Sequence, residues 1–99
     1  MTDRYILVDG EPVKEPRLFV WAQWMESGDR AVARTEVGES VVSTVFLGLD
    51  HNFFGHGAPI LFETLVLTGP NDGEGERYST LEEARLGHER MVARVRGAA

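Results

Sequence analysis

Asp50-His51 is the pair in this sequence with the clearest capacity for chemistry. A carboxylate next to an imidazole can orient the ring and support it as a general base. The pair ends a long uncharged, largely apolar run, Val41–Leu49, and opens a loop, Asp50–Pro59, rich in Asn, Gly and Pro. Loops held by a rigid strand are frequent carriers of function. A plainer role fits the same residues: Asp50 can accept from loop amides while His51 packs or faces water. His56 adds a second imidazole. A glycine-rich loop makes a poor metal cage, however, and no helical His pair supports one, so no metal is expected.

Glu63 poses a different problem, because it interrupts an apolar run, Ile60–Thr68, that reads as a central strand. A carboxylate there needs a partner, and Arg34, Arg77 and His88 are the candidates. His88 is the polar member of an otherwise apolar helical stripe, with Gly87 beside it permitting close approach. A Glu63–His88 contact across a helix–sheet layer is therefore expected, either as a satisfied structural pair or as part of a pocket. Convergence of Tyr78 and Asp50-His51 on the same place would favour a ligand site. Ser43, Ser79 and Thr80 lack a nucleophile context, and Gly69–Gly75 lacks the lysine and following helix of a phosphate loop. No cofactor is expected.

Tyr5–Val8 is a short strand, Asp9-Gly10 a turn, and Val13 belongs to a brief returning strand. Arg17–Glu26 follows Pro16 and has Leu18, Trp21, Ala22 and Met25 at helical spacing. Phe19, Val20 and Trp24 lie off that stripe. A helix so widely apolar is usually covered on more than one side. Residues 30–37 alternate and residues 41–49 return, which makes a β-hairpin. Ile60–Thr68 is a further strand and Glu76–Ser79 a short last one. Thr80-Leu81-Glu82-Glu83 has the form of a capping box, and Leu81, Ala84, His88, Met91, Val92 and Val95 then recur at three and four. The expected fold is α+β: a mainly antiparallel sheet of about four strands with two helices on one face, in the order β-α-β-β-β-β-α.

Ninety-nine residues, 42% hydrophobic and 26% charged, suit one globular domain over residues 1–99. The formal net charge of −6 argues against direct nucleic-acid binding through phosphate neutralisation. It is compatible with a basic protein partner or with mimicry of an acidic polymer. There is no cysteine, so thiolate chemistry and disulfides are excluded. The first residues lack the apolar core of a signal peptide and no run is long enough for a membrane span, so a cytoplasmic location is expected.

Several segments together resemble a group of small bacteriophage and prophage proteins of no assigned activity. They are Val42–His51, Trp21 and Trp24 with Asp29-Arg30, Leu61–Thr64, Arg77–Thr80, Glu83-Ala84 and Gly87-His88. The resemblance runs from about Tyr5 to Val92. It implies that Asp50, His51, Glu63, Arg77, Tyr78 and His88 are the shared polar positions; His56 falls outside the pattern. The loop Asn52–Pro59 is longer than in the group, which sets Phe53 and Phe54 apart.

Two functional readings follow. One is a small acidic interaction protein, a phage accessory or counter-defence factor that binds a host protein. Trp21, Trp24, Phe53 and Phe54 would be its partner surface, and it would form a homodimer through the Trp21–Trp24 helix or a sheet edge. The other is a small enzyme or ligand-binding domain built on Asp50, His51, Glu63 and His88.

Overall fold

A computed structural model describes residues 2–98 of the chain. The first hairpin comprises β1 (Tyr5–Val8) and β2 (Glu11–Lys14), closed by Asp9-Gly10. It is a separate two-stranded sheet, so Tyr5–Val8 does not belong to the main one. Helix α1 (Leu18–Ser27) follows. Strands β3 (Ala31–Val37), β4 (Ser40–Phe46), β5 (Phe62–Leu67) and β6 (Gly75–Tyr78) then form an antiparallel meander in that spatial order, and helix α2 (Leu81–Ala98) closes the fold. The α+β class and the four-stranded antiparallel sheet are as the sequence predicts. The element order is β-β-α-β-β-β-β-α, one strand more than expected, because Val13 pairs with Ile6 in a full return strand. No helix among the described residues is long and apolar enough to cross a membrane.

The pleat decides what each strand residue meets, since successive side chains point to opposite faces. On β4, Val42, Thr44 and Phe46 point inward; on β5, Phe62, Thr64 and Val66 do. Register makes these rows across the sheet: Phe46 opposite Phe62, Thr44 opposite Thr64, Val42 opposite Val66. α2 lies over this face and contributes Ala84, His88, Met91, Val92 and Val95. Its start is fixed by the expected capping box: the Thr80 N–H donates to Glu83 Oε1 at 3.1 Å, and the Glu83 N–H donates to Thr80 Oγ1 at 3.1 Å.

The apolar packing falls into two clusters on either side of the two threonines. One joins Phe46, Phe62 and Leu61 to Tyr5, Tyr78 and Ala84. The other joins Val42 and Val66 to Met91, Val92 and Val95. Trp24 of α1 meets Phe46 edge-on, with ring centroids 5.6 Å apart and planes at 87°, a favoured aromatic geometry. Both helices thus pack on the same side of the sheet.

Gly48 joins the N-terminal part to the sheet. Its carbonyl accepts from the Tyr5 N–H at 2.9 Å and from Trp21 Nε1 at 3.0 Å. Its φ is +78°, and a Cβ there would run into the Met25 side chain. Only glycine meets both conditions without strain. This also explains why the regular strand stops at Phe46 rather than at Leu49.

Candidate functional site

Three buried polar residues, His88, Thr44 and Thr64, are joined in one hydrogen-bonded line between sheet and α2. His88, 5% exposed, places Nδ1 2.7 Å from Thr44 Oγ1 and Nε2 2.9 Å from Thr35 Oγ1. Thr44 Oγ1 is 2.5 Å from Thr64 Oγ1. Tyr78 Oη is 3.0 Å from Thr64 Oγ1 and 3.2 Å from Glu76 Oε2. Glu76 in turn accepts from Arg90 Nη2 at 3.3 Å. The line crosses β3, β4, β5 and β6 beneath one turn of α2.

The Tyr78 hydroxyl has one proton and two acceptors within reach, Thr64 Oγ1 and Glu76 Oε2. The Thr44 and Thr64 hydroxyls can each donate and accept. A neutral imidazole needs one acceptor and one donor at its two nitrogens, and the Thr44 and Thr35 hydroxyls supply them. Burial also holds the imidazole below its ordinary pKa, with only weak opposition from Glu89. Burial raises the Tyr78 phenol above its ordinary value, which keeps its proton in place.

Gly87 lets Tyr78 into this line. A Cβ at Gly87 would occupy the position of the Tyr78 ring and hydroxyl. Close approach at Gly87-His88 therefore holds as expected, but it serves Tyr78 and not Glu63.

Glu63 is elsewhere. It sits on β5 between the inward Phe62 and Thr64, so its side chain leaves the opposite face of the sheet. There it accepts from Arg77 Nε at 2.8 Å, its cross-strand neighbour on β6. The expected Glu63–His88 contact does not form, because a shift of one residue along a strand changes the face. Of the three candidate partners, Arg77 is the one used.

Asp50 and His51 occupy a third place. Asp50 Oδ1 accepts from the Asn52 N–H at 2.8 Å and the Ile60 N–H at 2.9 Å, which closes the base of the loop. His51 Nδ1 lies 2.8 Å from its neighbour's carbonyl, Leu49 O, and so donates to it. The ring packs against Phe53 with centroids 5.8 Å apart. Asp50 thus takes the loop-closing role rather than orienting the imidazole, and the carboxylate–imidazole base is not assembled. No cluster of metal-ligating residues occurs among the described residues.

The six polar positions therefore divide among three sites: His88 and Tyr78 between the layers, Glu63 and Arg77 on the opposite face, Asp50 and His51 in the loop. Sequence reasoning missed Thr35, Thr44, Thr64 and Glu76, which complete the buried line. Their signal was present in the alternation Val42-Thr44-Phe46 and Phe62-Thr64-Val66. The Thr35 end of the line reaches a shallow open depression of about 290 Å³ that Val92 and Arg96 also line. With both His88 nitrogens engaged, that depression offers no free base.

The expected partner surface is also divided. Trp21 and Trp24 turn inward, onto Gly48 and Phe46. The outward side of α1 instead carries Leu18, Phe19 and Val20, with Phe19 86% exposed. Phe53 and Phe54 stand out from the loop, 73% and 82% exposed. Comparison with family models, with curated proteins and with solved structures finds no match to this chain.

Proposed function

We propose that this chain is a small acidic protein-interaction module. Its contact surface is the outward side of α1 together with the Phe53-Phe54 loop. The observation that carries the reading is Phe19, a phenylalanine left 86% exposed on a helix whose inner side is already satisfied. Neighbouring Leu18 is 51% exposed. The loop with Phe53 and Phe54 begins just beyond Gly48, the residue on which α1 rests. Exposed aromatics of this kind serve as anchors at protein interfaces.

The charge of −6 favours a basic partner and speeds its approach. In line with the resemblance to phage and prophage proteins, the partner would be a host protein. An inhibitor of a nucleic-acid-binding defence complex, which presents a basic surface, is one concrete form. The reading is supported further by the polar residues themselves, which divide among three separate places and each make structural bonds there.

The test is site-specific photo-crosslinking in the host cell. A photoreactive phenylalanine analogue replaces Phe19 or Phe54, with Leu86 on α2 as an exposed apolar control. The expected result is one discrete heterologous adduct from positions 19 and 54, absent from position 86. Adducts that are missing, or that are the same from all three positions, contradict the reading.

A further inference from the structure

An antiparallel sheet with one face open to water ordinarily alternates apolar inside and polar outside. This sheet follows that rule only in part. Its inner face carries Thr44 and Thr64 at its centre, while the outer face carries half-buried Val41 and Val45 on β4, half-buried Leu65 and exposed Leu67 on β5, around Ser43 and Glu63. α2, Tyr5 and Trp24 all pack on the inner side. Among the described residues, no helix or strand is packed across the outer side.

The charges on the outer face are balanced. Arg34 and Glu36 lie on β3, 3.8 Å apart, and Arg77 and Glu63 on β6 and β5, 2.8 Å apart. Two cations and two carboxylates sum to zero on this face, whereas the chain as a whole carries −6. A second copy, also at −6, is repelled by most of the surface but not by this face. A contact between identical patches must be complementary to itself, and an apolar centre flanked by equal numbers of both signs meets that condition.

We propose that the outer face of the β3–β6 sheet is where a second copy of this chain docks, so that two four-stranded sheets pack face to face. The dimer then presents Phe19 twice, on α1 at the opposite side of the sheet from the contact. This assigns self-association to the sheet face rather than to the tryptophan helix or a sheet edge. It does not depend on the identity of any other partner.

Light scattering on the purified chain should give twice the 11.0 kDa chain mass at micromolar concentration. The association should strengthen at higher salt as net repulsion is screened. Leu65→Lys and, separately, Val45→Lys should halve the observed mass, while Phe19→Ser leaves it unchanged. Because the chain has no cysteine, proximity can be read without relying on those variants. In Ser43→Cys, a short bismaleimide spanning the roughly 10 Å between packed sheets should give covalent dimer at least ten times faster than in Leu86→Cys. A monomeric wild-type mass overturns the proposal. So does a dimer that survives both lysine variants, or equal crosslinking from positions 43 and 86.

Discussion

His88 Nδ1 lies 2.7 Å from Thr44 Oγ1, and Thr44 Oγ1 lies 2.5 Å from Thr64 Oγ1, which ties α2 to the two central strands. The bonds are buried, so removing one member strands its neighbour. A buried donor or acceptor left unpaired costs about 1–3 kcal/mol. Thr44→Val should therefore destabilise the chain by about 1–3 kcal/mol in denaturant titration, and Thr64→Val similarly. The double variant should cost less than the sum, with a coupling of about 0.5–3 kcal/mol, because the second substitution removes a group already stranded. Strict additivity would place the two hydroxyls in separate networks.

Stability should depend on pH through His88. Burial lowers its folded-state pKa below the ordinary 6.5. The unfolded chain then binds the proton more readily, so the contribution is fully present above 6.5 and is lost as pH falls below that value toward the lower folded pKa. Thermal melts between pH 7 and 5 should show a decline that is smaller in a His88→Gln variant. An equal decline in both would assign the effect to other groups.

Gly87 gives an instance where a better helix former should harm the protein. Alanine improves on glycine in a helix by about 1 kcal/mol. Here its methyl group would take the place of the Tyr78 ring and hydroxyl. Overpacking in a filled interior costs about 1–3 kcal/mol, and loss of the Tyr78 bond to Thr64 adds to it. Gly87→Ala is expected to melt lower than the parent, and Gly87→Ala with Tyr78→Phe should recover little. A higher melting temperature for Gly87→Ala alone would contradict the close approach.

At the start of α1, Glu15 replaces the missing side-chain cap. Its Oε2 accepts from the Arg17 N–H and Nε, each at 2.9 Å, and its Oε1 accepts from Nη2 at 2.7 Å. Those bonds lower its pKa from 4.5 to about 2. The stabilisation is present above 4.5 and lost as pH falls from there toward 2. Glu15→Gln should flatten that part of the acid unfolding profile, and an unchanged profile would remove Glu15 from the helix start.

Much of this fold is legible in the residues. Ile60–Thr68 contains β5, Val41–Leu49 overlaps all of β4 but Ser40, and Thr80–Glu83 marks the start of α2. What was lost was phase. Val41–Phe46 is apolar at odd and even positions alike, so its composition does not say which side faces α2. Glu63 carries the charge of the β5 run, but it is its neighbour Thr64 whose hydroxyl is buried. The same holds for α1, where Leu18–Met25 is apolar almost all round and offers no single stripe. Its inward side is set by Gly48, a contact distant in sequence. The loop role of Asp50 is local and was among the readings the residues allowed.

His88 is a closed link rather than an available base, and NMR of its imidazole nitrogens tests this most directly. The expected spectrum shows a single fixed neutral tautomer, titrating below 6.5. An imidazole that exchanges between both tautomers and titrates at its ordinary value would contradict it.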